Sequence, residues 1–340
     1  MKTISIFRLT YTLILIILSG NQLFAQVAST SLFNSQPSYN PAVAALHEQP
    51  EFTYAQLDGS GETKTVLNNY GFEYDTGDVE KITSHRKSLI GIFLFDDWGI
   101  EAFTDLSHKV EIENQNNSGS SVSTAGNTYT IEKTLWSVLL GTSNSPDFKW
   151  GIKIAQEKEV VEKFKIENTD LTIGLGITYQ INDIIFLSTG GNMVTSDATE
   201  KVSNNWFEYY YGASLGLELN TEMQLRLEAN TINSPEDGAE KSGSSAANNH
   251  RAMEELHISM EFIYEQFRAT YQTVNYTINP LSTRPSETKD TTTTTTMGLG
   301  YTFVSSSVFV EALQHNSERI RSDFTTTNSD SLELSVGILF

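Results

Sequence analysis

Along much of the chain, apolar and polar residues alternate one for one. Leu171, Ile173, Leu175, Ile177, Tyr179 and Ile181 are interleaved with Thr172, Gly174, Gly176, Thr178 and Gln180. Phe207, Tyr209, Tyr211, Ala213, Leu215, Leu217 and Leu219 form a second such series, and the pattern returns over 148–154, 223–231, 256–264 and 297–303. It is plainest at the end of the sequence, where Leu332, Leu334, Val336, Ile338 and Phe340 share one face and Glu333, Ser335 and Gly337 the other. A period of two places alternate side chains on opposite faces of a strand. Runs of about ten residues match the length a tilted strand needs to cross a bilayer. The pattern predicts an all-β fold, an antiparallel transmembrane β-barrel with its apolar face to lipid and its polar face to the lumen, closed by the final run. A half-buried strand of a soluble sandwich has the same period, so period alone does not decide.

Connector lengths supply an independent signal. Tight links at Asp96-Asp97, 143–147, Asn182-Asp183, 220–222, Glu265-Gln266 and 305–307 interleave with long polar links at 76–86, 114–127, 159–170, 195–205, 234–254, 279–291 and 316–329. Short and long in turn is what periplasmic turns and extracellular loops produce, whereas a sandwich has no reason to sort its connections by length. Counting back from Phe340 gives about fourteen strands from Lys64 onward, an even number as bacterial barrels require. Two stretches, 88–95 and 184–187, are apolar on both faces, which suits strands whose lumen side is covered by a plug. Glu51 to Leu57 also alternates. It belongs either to an N-terminal plug or to one interrupted first strand over 51–75, around Gly59-Ser60-Gly61.

Composition narrows the compartment. Lys2 and Arg8 flank the apolar run Leu13–Leu18, and Ala25 precedes Gln26, which reads as a secretory signal peptide over 1–25. No later run is long and apolar enough for a membrane helix, and the mean hydropathy is −0.27; a barrel strand needs only every second residue apolar. The absence of cysteine excludes a lipid-attachment thiol and a disulfide framework. A formal charge of −20, more negative once the signal is removed, argues against nucleic acid and anionic lipid as electrostatic partners. The expected location is the outer membrane after export. The expected partners are outer-membrane lipid and lipopolysaccharide, with the barrel-assembly machinery acting during insertion.

The stretch 26–50 lacks the alternation. Its patch Pro41-Ala42-Val43-Ala44-Ala45-Leu46 follows Ser38-Tyr39-Asn40, and a proline in the first turn with asparagine as cap predicts a short helical turn. The run Tyr39-Asn40-Pro41-Ala42, soon after a signal peptide and just before a barrel, resembles the Asn-Pro-Ala motif of FadL-like long-chain fatty-acid and hydrocarbon transporters. That resemblance implies a lumenal hatch, with Asn40, Pro41 and Ala42 as plug or gate residues. A similar start is seen in PorP-like outer-membrane proteins of type IX secretion, and a motif this short does not separate the two. The resulting division is a signal peptide over 1–25, a plug or arm over 26–63 that includes part of the first strand if 51–75 is one strand, and a barrel over 64–340.

Alternation also names the lumen lining. Glu208, Glu218, Arg226, Glu228, Glu261 and Arg268 fall on the inner face, with Glu101, Glu311, Glu333, Lys149 and Lys153. Such charges are tolerated there when wet or paired, either as a translocation path or as networks that stiffen the wall. Tyr210, Tyr276, Ile263, Phe309 and Leu313 would line the same interior, offering an apolar surface to a substrate or to the plug. Trp98, Phe148, Trp150, Trp206, Phe207, Tyr264, Phe267, Tyr301, Phe303 and Phe340 read as interfacial girdles. His257 and Ser259 share the inner side of one strand, but nothing near them completes a triad, and no cofactor or metal spacing is present, so no enzyme is expected. Gly190-Gly191 marks a bulge or a close approach inside the barrel. The Thr291–Thr296 run and 234–249 have the composition of loops that bury no core. The sequence favours passive uptake of a hydrophobic small molecule through a gated lumen. Its alternatives are a non-transporting structural, assembly or secretion-complex anchor, and a general diffusion porin.

Overall fold

A computed structural model of the chain describes residues 39–47, 50–69, 72–116, 127–142, 145, 147–182, 184–198, 201–220, 222–235, 252–279, 289–303, 307–320 and 325–340. The expected signal peptide, 26–38, and most of the link at 234–254 lie outside them. The described residues form fourteen strands in a closed antiparallel barrel. They are β1 (Glu51–Asn69), β2 (Phe72–Phe95), β3 (Trp98–Asn116), β4 (Asn127–Thr142), β5 (Phe148–Val161), β6 (Ile166–Gln180), β7 (Ile185–Ala198), β8 (Lys201–Asn220), β9 (Met223–Ser234), β10 (Met253–Tyr264), β11 (Phe267–Ile278), β12 (Asp290–Phe303), β13 (Val308–Ile320) and β14 (Thr325–Leu339). Each pairs with its sequence neighbours, and β1 meets β14 from Glu51↔Leu339 to Thr65↔Thr325. Closure leaves no unpaired edge, a condition for any sheet in hydrocarbon.

The wall begins at Glu51, earlier than the 64–340 span expected. Gly59-Ser60-Gly61 passes through β1 without a break, in register with both β14 and β2. Several expected long links are shorter than their polarity suggested. Residues 76–86 lie within β2, and β5 and β6 are joined by the 3₁₀ turn Glu162–Phe164 and its left-handed cap Lys165. The Thr291–Thr296 run is paired on both sides within β12 rather than forming a loop. Polar composition ends a membrane crossing, but it does not end a ladder of backbone hydrogen bonds, and threonine is a good strand former.

Outside the barrel, Leu171, Ile173, Leu175, Ile177 and Tyr179 on β6 are exposed, as are Leu332, Leu334, Val336 and Ile338 on β14. Leu299 and Leu175 stand 70% and 61% accessible, exposure that only a lipid solvent makes favourable. Aromatic rings meet edge to face near the tightly linked end, Trp98 with Trp150 and Tyr301 with Phe303. Trp206 departs from the girdle. Its indole points inward and donates to Glu208 Oε1 at 3.1 Å, as its even place in β8 requires. The two stretches that are apolar on both faces bury their inner side chains: Ile90 and Ile92 pack with Phe103, Leu94 and Leu135, and Phe186 is 2% exposed.

Register shifts occur between β1 and β2, β7 and β8, and β8 and β9, and β3 is irregular against both its neighbours. In β3, Ser88 pairs with Asp105 and Lys87 with Ser107, so Leu106 is an extra residue, and the pairing with β4 shifts over the same stretch. The bulge frees a backbone amide that a side chain then satisfies. The Asp105 carboxylate accepts from Leu135 N (3.1 Å) and from Arg86 Nε (2.7 Å).

Candidate functional site: a plug on a row of glycines

Interior position, register and residue size together build a groove in the lumen wall. Gly99 of β3 pairs with Gly141 of β4, Gly141 with Gly151 of β5, Gly151 with Gly176 of β6, and Gly176 with Gly190 of β7, which in turn faces Tyr210 of β8. Five consecutive strands thus present bare backbone in one cross-strand row. The 3₁₀ turn Pro41–Ala45 lies on that row, its residues Pro41 to Ala44 fully buried. A Cβ at Gly99 would fall on the carbonyl oxygen of Ala44, one at Gly141 would stand 2.8 Å from Ala45 N, and one at Gly151 2.5 Å from the Pro41 carbonyl carbon. At Gly176 it would meet Asn40 Oδ1 and the Tyr210 hydroxyl. Glycine is needed here for close backbone approach.

Asn40 fastens the turn. Its Oδ1 accepts from Ala42 N (3.0 Å) as N-cap and from the Tyr210 hydroxyl (3.0 Å). Its Nδ2 donates to Thr178 Oγ1 (2.9 Å) and to the Ile177 carbonyl (3.4 Å). The side chain is wholly buried and its amide is satisfied on both ends, with one bond shaping the turn and three tying it to β6 and β8. Pro41 takes the first turn, where a missing N–H costs nothing.

A second anchor lies beside it. Tyr39 donates to Glu208 Oε2 at 2.6 Å, stands edge-on to Tyr210 at 5.1 Å between centroids, and carries Lys153 Nζ over its ring at 5.1 Å. Burial first, and then the Glu208 carboxylate, push the Tyr39 hydroxyl up from its ordinary pKa, so it remains a donor. Asn192 also reaches Glu208, at 3.5 Å. At the other end of the segment His47 Nε2 lies 3.5 Å from Glu101 Oε2 of β3. Inside the barrel the segment therefore crosses from β8 to β3 before entering β1.

The residues marked out in the sequence divide into groups. Asn40, Pro41, Ala42, Glu208 and Tyr210 come together at the plug. Arg226, Glu261 and Arg268 form a separate cluster on β9 to β11. There Arg226 Nη1 meets Glu261 Oε2 at 2.7 Å, and Arg268 Nε contacts Glu261 Oε1 directly and stands 3.7 Å from Glu311. Phe309 of β13 is buried where Gly337 of β14 leaves room for its ring. Glu228 is bonded to Asn230, two residues along β9, and Glu218 near the tightly linked end pairs in register with Gln224. His257 engages Glu255 at 2.6 Å. Sequence reasoning placed Tyr39 in the motif without a role and read a close approach at Gly190, but it missed Thr178 and the row that joins Gly190 to the other glycines. The signal was one inward glycine per strand over β3 to β7, which becomes visible only once register is known.

A closed fourteen-stranded barrel with an apolar exterior and an N-terminal segment seated in its lumen has the architecture of an outer-membrane β-barrel protein. A FadL homologue of Pseudomonas aeruginosa shares the fold at a TM-score of 0.56 and 11% identity over 94% of this chain and 99% of that one. The Pseudomonas putida toluene transporter TodX superposes at 0.52 with 9% identity over 88% and 92%. The Ralstonia pickettii toluene transporter TbuX does so at 0.51 with 11% identity over 94% and 96%. At these identities the likeness is one of fold. No protein-family model and no curated protein matches the sequence.

Proposed function

We propose that this chain is an outer-membrane channel for passive uptake of a hydrophobic small molecule, with residues 39–47 as the plug that closes its lumen. The observation that carries this reading is the seating of Asn40, Pro41 and Ala42. Three side-chain bonds from Asn40, with Tyr39 on Glu208 and His47 beside Glu101 at the two ends, hold the segment to the wall, and the turn itself packs its small residues on bare backbone. Such a contact is reversible. Each net hydrogen bond contributes about 1 kcal/mol, within reach of what a bound solute or a partner at the periplasmic mouth supplies. The fold likeness to a FadL homologue and to two toluene transporters supports the hydrophobic class of solute.

The test is conductance in planar bilayers, comparing full-length protein with a form lacking 26–50, together with uptake of a labelled hydrophobic probe by cells that have no channel of their own. A quiet full-length barrel that opens on deletion, with probe uptake above background, is the expected result. Steady large conductance in both forms would make the protein a porin. Silence in both, without uptake, would favour a barrel that anchors a surface or secretion complex.

A further inference from the structure

The plug carries its own shape. Val43 N donates to the Asn40 carbonyl (3.1 Å), Leu46 N to the Val43 carbonyl (2.8 Å), and Ala42 N to Asn40 Oδ1, so the turn is closed by its own backbone and its own cap. The cap and the proline after it are local devices that preorganise the turn before it meets the wall. The wall then selects side chains position by position. Tyr39 donates to Glu208 at 2.6 Å, with Lys153 over its ring. Asn40 is taken as an amide and not as a carboxylate, because its Nδ2 donates to Thr178 Oγ1 (2.9 Å) while its Oδ1 accepts from Tyr210 (3.0 Å). After it only small residues fit. Cβ atoms built on Gly176, Gly151 and Gly141 would stand 2.8 Å from Pro41 Cδ, 2.7 Å from Ala42 N and 2.8 Å from Ala45 N, and Ala42 and Ala44 are wholly buried.

These contacts join the segment 39–47 to a wall built far away in the chain; Asn40 and Tyr210 are 170 residues apart. Covalent continuity therefore supplies concentration and not contacts. A flexible tether holds its segment at an effective concentration of about millimolar, so the same segment free in solution at that level meets the seat on equal terms. The seat also lies near the tightly linked end. Gly99 follows Trp98 at the start of β3, and Gly141 precedes Thr142 at the end of β4. Short turns mark the periplasmic side of such a barrel, where protein segments are at hand.

We infer that the glycine row with Thr178, Glu208 and Tyr210 is a peptide-recognition site, which takes in trans a periplasmic partner segment of the form tyrosine-asparagine-proline followed by small residues, and that such a segment closes the barrel. This rests on residues 39–47 acting as the plug, as proposed above, and adds a partner to that seat. The test uses full-length Asn40→Ala protein, whose own plug is loosened, in planar bilayers, with a synthetic peptide of residues 39–47 added to each chamber in turn. From one chamber, about 1 mM peptide should cut the openings about tenfold. The same peptide with Asn40→Asp keeps the cap but loses both donors to β6, and should leave the openings unchanged. Gly151→Val added to the protein should abolish the block. A second measurement does not depend on gating. The peptide with a benzophenone at its C-terminus should crosslink to β3 or β4 of the Asn40→Ala protein, and unlabelled peptide, but not its Asp form, should displace it. Equal block by the Asp form, crosslinking that unlabelled peptide does not displace, or neither block nor crosslink would overturn the inference and leave hydrophobic uptake standing. The uptake reading falls separately, if the form lacking 26–50 neither conducts nor takes up probe.

Discussion

Asn40 concentrates the plug's polar contacts in one side chain. Asn40→Ala removes the cap and three bonds to the wall and leaves the Thr178 and Tyr210 hydroxyls buried. The expected cost to plug seating is about 2–4 kcal/mol, read as frequent openings in single-channel records. Tyr210→Phe keeps the ring against Tyr39 and removes the bond to Asn40 and a longer one to the Leu175 carbonyl, so its effect should be near 1 kcal/mol, with rarer openings. Gly151→Val works from the opposite surface. Its side chain needs the volume that Pro41 holds, so the plug should become open to added protease while the barrel still shows the heat-dependent gel shift of a folded one. Gly300→Ala, where the new atom meets only ordinary contacts, is the control and should leave the plug protected. The capped turn at Asn40-Pro41 was legible in the sequence because a cap and a first-turn proline are local. The glycine row was not, because pairing Gly99 with Gly141, Gly151, Gly176 and Gly190 depends on register across five strands, and register is a property of the closed sheet.

Among the elements, β6 and β14 were the easiest to read, since each has one face in lipid and the other in the lumen and the alternation is unbroken. The upper parts of β2, β5 and β13 were not legible because they leave the hydrocarbon while still paired. There the period-two pattern gives way to charges, and ladders such as Asp58–His85, Lys109–Glu132 and Lys158–Glu167 cross neighbouring strands. These exposed pairs are screened by solvent and weakened by salt, so strand pairing rather than charge holds the extensions. The β3 bulge has firmer support. Asp105→Ala strips Arg86 of its partner and Leu135 of its acceptor, and should lower stability by about 3–5 kcal/mol in urea titrations of protein folded into vesicles. On the lipid face, Leu175→Arg should cost about 2–4 kcal/mol in the same assay if Leu175 lies near the bilayer midplane, and less if it lies toward an interface.

At the scale of the whole molecule, strand number and closure followed from the even count of alternating runs, while the interior arrangement did not. Inward residues were identified by parity, yet parity does not tell which strands carry the plug and which carry the charge cluster. The structure separates them, with the plug on β3 to β8 and the charge cluster on β9 to β14. The strands also differ in length: β2 has 24 residues where β10 has 12. At roughly 3.4 Å per residue the difference amounts to about 40 Å of contour, nearly all of it beyond the tight turns of the opposite end. Among the described residues the paired wall is therefore a slope, high over β1 to β3 and low over β9 to β11. Under the uptake proposed above, the short side of that wall, nearest the Glu261 and Arg268 cluster, is where the ladder of paired backbone shields the lumen least.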